Sequence, residues 1–187
     1  CDEAEKAGIY AQTFCDGKVL AARPGPELER YCRNNRMESV VTDQVAEYIN
    51  THPAQGTAAG PQKVMLIALG ERERLVRFRG EHMAWEEGRC SSVFSSPDYL
   101  EYCPWGVDKG SAVRYLERVI RGGPGCLPGP ARTAGSMADR LLTVAVGDEE
   151  NDLPMIRAAQ IGVAMKNAAP EVKAAADYVT EADHNND

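Results

Sequence analysis

No stretch of the 187 residues approaches the ~20 consecutive apolar residues that a helix needs to cross a bilayer. The longest apolar run, Val64-Met65-Leu66-Ile67-Ala68-Leu69, has the length of a buried strand, so no membrane association is expected. No charged-then-apolar leader opens the chain, and its first residue is Cys1 rather than methionine. Starting at Cys1 and stopping at Asp187, just after His184-Asn185-Asn186, the sequence reads as a piece of a longer protein. Basic charge is also scarce. Against 28 acidic residues stand 21 Lys and Arg, a net charge of −7. Affinity for a nucleic-acid backbone needs a basic surface, so a general nucleic-acid binder is excluded. Small phosphorylated molecules stay admissible, because one local lysine and a metal outweigh a distant negative field. The six cysteines (Cys1, Cys15, Cys32, Cys90, Cys103, Cys126) form no CxxC pair, and there are three histidines. A structural zinc needs four clustered ligands, and a disulfide framework belongs to small secreted chains. Reduced thiols with packing roles, in a cytoplasmic protein, are therefore expected. A P-loop, a G-x-G-x-x-G element and a G-x-S-x-G elbow are all missing, which sets aside those nucleotide sites and a serine-nucleophile hydrolase.

What is present is ordinary in amount. Hydrophobic residues make up 43% and charged residues 26%, as in a folded protein of one mid-sized or two small domains. Residues 8–14 and 18–21 flank Cys15-Asp16-Gly17, and Asp-Gly between apolar runs signals a hairpin. After Pro24-Gly25-Pro26 the pattern predicts a helix over 27–36. A second helix is expected over 42–50, with Thr42 as N-cap and Asp43 in the first turn. A loop over 50–60, a strand over 63–69 and a charged, solvent-facing helix over 71–87 follow. Strands over 89–94 and 99–103 flank the turn Ser95-Ser96-Pro97-Asp98. Arg72, Arg74, Arg77 and Arg79 either touch an anionic substrate or form a solvated face paired with Glu71, Glu73 and Glu81.

After Pro104 the rhythm changes. Val113, Leu116, Val119 and Ile120 recur at helical spacing within 111–121. Residues 122–130 are dense in glycine and proline and read as a loop. The run 141–146 is nearly all apolar, as in a strand buried on both faces of a parallel sheet. A helix over 152–159, a strand over 161–165, a helix over 170–176 opening on proline and a strand from Tyr178 complete the pattern. Strand, helix and strand this close together make a βαβ unit with a right-handed crossover. The fold class is α/β: an α+β domain over 1–95, then a parallel-sheet, Rossmann-like domain over 96–187.

Chemistry concentrates in Leu141-Leu142-Thr143-Val144-Ala145-Val146-Gly147-Asp148-Glu149-Glu150-Asn151-Asp152. A buried strand ends at a glycine, and four acids and one amide follow in five positions. Ligands of open α/β sheets lie at the carboxyl ends of strands, and Gly147 permits a sharp turn and close backbone approach. Carboxylates there suit Mg²⁺, which keeps one or two of them beside phosphate and water. Asn151 donates a hydrogen bond without adding negative charge. Alternatively, the acids decorate a helix N-terminus, where the dipole favours them. In Pro104-Trp105-Gly106-Val107-Asp108-Lys109-Gly110-Ser111 a lysine precedes a helix, at the end the dipole disfavours for a cation. It either has a local anion to bind or points away into solvent.

Together these segments resemble a known family. Tyr99-Leu100-Glu101-Tyr102-Cys103-Pro104-Trp105-Gly106-Val107-Asp108-Lys109-Gly110 is similar to the Y-L-E-x-x-P-x-G-V-x-K-G segment of Cof-type haloacid dehalogenase-like hydrolases, subclass IIB. Gly147-Asp148-Glu149-Glu150-Asn151-Asp152 resembles their G-D-x-x-N-D motif, and Ile161-Gly162-Val163-Ala164-Met165-Lys166-Asn167-Ala168 their G-V-A-M-x-N-A segment. The likeness covers 95–187 well and 1–94 only as the family's variable cap.

The resemblance implies Mg²⁺-dependent phosphoryl transfer to water through an aspartyl-phosphate. On it, Asp148 matches the metal-binding aspartate and Asp152 the second acid of the metal site. Lys109 matches the lysine that neutralises the nucleophile and phosphoryl oxygens, Asn151 the asparagine near the phosphate, and Asn167 a secondary candidate. Positioning and charge neutralisation then supply most of the rate. The family's nucleophile lies in D-x-D-G-T/S, which does not occur here; Asp2-Glu3-Ala4 and Cys15-Asp16-Gly17 do not fit it. The expectation is a C-terminal fragment, inactive alone, of a phosphatase for small phosphorylated metabolites such as sugar phosphates. Alternatives are a non-catalytic phospho-ligand or metal-binding remnant and a phosphomutase. The connection over 122–140 is longer than the family's usual link. The oligomeric state is not legible.

Overall fold

The structure, a computed structural model, describes residues 1–52, 62–121 and 141–183. Residues 53–60 of the loop expected over 50–60, the loop 122–130, the long connection 122–140 and Cys126 lie outside the described residues, while Asn50 and Thr51 belong to a helix. The chain divides into two compact units, Cys1–Trp105 and Gly106–Asp187. That division falls later than residues 95/96, because the strand after the Ser-Pro turn pairs into the first unit's sheet.

The first unit contains α1 (Asp2–Lys6), β1 (Tyr10–Cys15), β2 (Lys18–Ala21), α2 (Pro26–Asn35), β3 (Ser39–Val41), α3 (Val45–Thr51), β4 (Val64–Ile67), α4 (Arg72–Glu86), β5 (Cys90–Ser96) and β6 (Tyr99–Pro104). Its six strands run in the order β3-β2-β1-β4-β6-β5, antiparallel except for the β2–β3 pair. Asp16 and Gly17 both take positive φ, 48° and 73°, the left-handed pair that a tight hairpin requires. Alternation divides the core between two faces. Tyr10, Phe14, Met65 and Ile67 pack with Leu28 and Tyr31 of α2. Ile9, Leu66, Phe94 and Leu100 pack with Ala4 of α1 and Leu75 and Phe78 of α4, while Cys15 and Leu20 meet Ile49 of α3.

Two local differences from the sequence pattern have simple causes. The Thr42 hydroxyl accepts the N–H of Gln44 at 3.1 Å, a side-chain turn that delays α3 to Val45. The helix α4 is charged along its length, yet Leu75 and Phe78 anchor one face in the core.

Among its described residues the second unit contains α5 (Lys109–Ile120), β7 (Val144–Gly147), a 3-10 turn (Glu150–Asp152), α6 (Leu153–Ala158), β8 (Ile161–Ala164), α7 (Pro170–Ala175) and β9 (Tyr178–Val179). The three strands form a parallel sheet, β7-β8-β9, with α6 and α7 as connections. Ala145, Ile156, Ala164, Ala168 and Val172 make its core. The run over 141–146 is not buried on both faces. Ala145 and Gly147 turn inward, whereas Val144 and Val146 are 55% and 50% exposed. The inward side demands small residues: a Cβ on Gly147 would stand 2.6 Å from the Asp152 carboxyl carbon. The bulky members of the run therefore alternate outward.

Candidate functional site

At the carboxyl end of β7 the chain folds over Asp152, which is 5% exposed. Its Oδ2 accepts the backbone N–H groups of Asp148 at 2.9 Å and Glu149 at 3.2 Å. Reciprocally, the Glu149 side chain accepts the Asp152 N–H, a capping box across the 3-10 turn. Asp152 Oδ1 accepts a hydrogen bond from Nζ of Lys109, 43 positions earlier in the chain. Burial acts to raise the Asp152 carboxyl. The Lys109 hydrogen bond and the two backbone N–H groups outweigh it and hold the group below its ordinary value.

This arrangement explains how four acids share five positions. Backbone N–H groups and an ammonium offset the buried member of the set. It also resolves the misplaced lysine. Lys109 is the first residue of α5, and the local anion it meets is Asp152 of the same unit. Asp108 is the N-cap, its side chain accepting the Ser111 N–H while Ser111 Oγ accepts the Asp108 N–H at 3.0 Å. The D-x-x-S spacing over 108–111 was the sequence signal for this cap, and it starts α5 two residues before the expected position.

Asp148 follows β7 directly and is partly exposed. Asn167 Nδ2 donates to its Oδ2 at 3.4 Å, and its carbonyl accepts the Ala169 N–H at 2.9 Å. The structure thus gathers Lys109, Asp148, Asp152 and Asn167 around one turn, with Asn151 half-buried inside the 3-10 helix. Among the described residues no group of three or more His, Cys, Asp and Glu side chains is gathered to hold a metal ion. Asp148 offers a hard carboxylate donor at the edge of the turn. Asp152 has both oxygens engaged by N–H donors.

Elsewhere the described cysteines, Cys1, Cys15, Cys32, Cys90 and Cys103, are free thiols. No described helix is long and apolar enough to cross a membrane. Arg72, Arg74 and Arg79 of α4 have partners within the first unit, and two of them, Arg72 and Arg79, share the Phe94 ring. Arg74 binds Glu71 and the Ala7 carbonyl, Arg79 binds Ser92, and Arg72 lies over the Phe94 ring at 4.1 Å.

Comparison with known proteins gives a consistent picture. Residues 137–187 match the family described as haloacid dehalogenase-like hydrolase. A "Putative phosphatase" of Haemophilus influenzae is 31% identical over 170 residues, 87% of this chain and 57% of that protein. A solved structure from Thermotoga maritima is 26% identical with a TM-score of 0.61, covering 96% of this chain and 58% of that one. A subclass IIB sugar phosphatase shares the fold at a TM-score of 0.61 and 19% identity, over 95% of this chain and 56% of its own. The chain spans less than two thirds of each of these relatives. With a parallel sheet and an acidic turn inside the matched segment, residues 137–187 belong to the haloacid dehalogenase-like hydrolase family, and the chain as a whole shares the fold of its members.

Proposed function

We propose that this chain carries the phosphate- and metal-handling part of a Mg²⁺-dependent phosphatase for small phosphorylated metabolites, with the first unit as its cap. The observation that carries this reading is the Lys109–Asp152 pair at the carboxyl end of β7, one turn from Asp148. The Lys109 side chain is 47% exposed, and an ammonium has three donors, of which Asp152 takes one. A phosphoryl oxygen beside it gains a charge-assisted hydrogen bond. Asp152 holds the ammonium in place, and Asn151 and Asn167 add amide donors close to the turn.

The donor chemistry fits a hard cation in part: Asp148 would hold Mg²⁺ directly, and Asp152 would act through the backbone and Lys109 it fixes. Mg²⁺ takes one or two protein carboxylates and completes its shell with phosphate and water. When bound it supplies neutralisation of charge on the phosphoryl oxygens. On this reading the aspartate nucleophile comes from a segment outside the 187 residues, and the chain by itself shows no turnover. Sugar phosphates are the favoured class, by analogy with the subclass IIB neighbour.

The test is calorimetric titration of the chain with inorganic phosphate, with and without Mg²⁺. Mg²⁺ should strengthen phosphate binding at least several-fold, and Asp148→Ala and Lys109→Met should each remove that gain. Phosphate affinity indifferent to both variants overturns the reading. A non-catalytic phospho-ligand module is the second reading. It gives the same binding but no hydrolysis of an aryl phosphate by the full-length parent protein. A phosphomutase would instead pass the phosphoryl group to an acceptor other than water.

A further inference from the structure

Gly110 is the second residue of α5 and is buried. Its φ is not positive, so backbone freedom does not explain the glycine. Space does. A Cβ placed on Gly110 would overlap the carbonyl oxygen of Pro154 and stand 2.7 Å from its carbonyl carbon and 3.1 Å from its Cβ. The obstacle is backbone, in a residue whose ring fixes φ, at the opening of α6. It cannot swing aside as a long side chain would. The first turn of α5 therefore approaches α6 as closely as it does only because position 110 carries no side chain.

That approach joins the two ends of one ion pair. Lys109 immediately precedes Gly110, and Asp152 lies two positions before Pro154. Added volume between positions 110 and 154 separates the backbones on which the ammonium and its carboxylate are mounted. We infer that Gly110 is a positioning residue, whose missing side chain sets the Lys109–Asp152 contact and so the place of the ammonium at the turn. Its catalytic consequence rests on the phosphatase reading above; the steric relation stands on the geometry alone. Gly162 is the natural control. A Cβ there would meet Ile156 Cγ2 at 2.7 Å and the Ile156 carbonyl oxygen at 2.8 Å, equally tight against α6 but away from the ion pair.

The experiment is trace acetylation of the 187-residue chain under native conditions, with labelling of each lysine quantified by mass spectrometry. Asp152→Asn should raise Lys109 labelling several-fold and sets the scale for a released amine. Gly110→Ala should reach at least half of that rise, with Lys173 unchanged. Gly162→Ala should lower the Tm and leave Lys109 at its original level. A folded Gly110→Ala with unaltered Lys109 labelling overturns the inference, as does an Asp152→Asn variant without effect. If Gly110→Ala does not fold, Gly110→Ala/Pro154→Ala, which frees the opposing backbone from its ring, is scored by the same criteria. Failure of both to fold shows packing alone and also overturns it. Repeating the labelling with inorganic phosphate and Mg²⁺ separates the two claims. A Gly110 effect without phosphate protection of Lys109 leaves the positioning role intact and removes the phosphatase reading.

Discussion

The two units treat charge in opposite ways. In the first, ionic side chains are paired off at several separate places on its sheet and helices. Lys63 and Ser95 both donate to Glu101, at 3.0 and 2.7 Å, and the nearly buried Glu86 accepts from Ser92 at 2.7 Å. Beside that carboxylate, burial pushes the Tyr102 hydroxyl well above the usual phenol range. Of the α4 arginines, Arg74 pairs with Glu71, while Arg72 and Arg79 both lie over the Phe94 ring. In the second unit, the Lys109 ammonium of α5, the carboxylates of the β7 turn and the Asn167 amide after β8 converge on a single place. A run of like charges in a sequence is thus a poor guide to a site; convergence from separated segments is a better one.

The contrast is sharpest where hydrophobic support is removed. Leu100 is fully buried between β4 and β5 partners, and Leu100→Ala should cost about 2–5 kcal/mol. Both tryptophans, Trp85 and Trp105, lie in the first unit, so urea unfolding followed by tryptophan fluorescence reads this loss. An unchanged midpoint would break the picture of a core-supported first unit.

Next in size is the converging site. Asp152→Ala strips two backbone N–H groups and the Lys109 ammonium of their acceptor. A loss of about 2–3 kcal/mol is expected from those charge-assisted bonds, measured by thermal unfolding in far-ultraviolet circular dichroism. Acidification gives a smaller, graded version. The Asp152 carboxyl is depressed in the folded state, so its contribution is present above the unfolded value, about pH 4. It disappears as the pH falls through the lower folded value. The stability difference between the native chain and Asp152→Asn should therefore hold from pH 7 to about 5 and shrink toward pH 3. A difference that grows on acidification would reverse the assignment.

The smallest effect is a gain. Gly80 lies exposed inside α4, with open space where the methyl group of an alanine would stand. Gly80→Ala should stabilise the first unit by about 0.5–1 kcal/mol, seen as a higher urea midpoint.

Local patterns were read well from the sequence, and distant pairings were not. Asp16-Gly17 announced its hairpin because both positions needed left-handed φ, a property of the residues themselves. The strands and helices after Leu141 followed from short apolar runs with glycine and proline punctuation. The acidic turn stood out in the sequence, but not which acid would be buried, since spacing along a turn does not say which carboxylate folds under the N–H groups. Lys109 and Asp152 each stood out by type, and only the packing of α5 on α6 pairs them. The exposed side of β7 escaped because an apolar run reads the same whether one face or two are covered. The three-residue β3 and five-residue α1 are too short for any periodicity to register.

The reciprocal caps at Asp108–Ser111 and Glu149–Asp152 have a thermodynamic corollary. Each end of the lysine–aspartate pair is clamped by its own backbone before anything binds, so little conformational entropy remains to be lost there. On the phosphatase reading proposed above, an anion binding at this turn would be accompanied by little ordering of the chain.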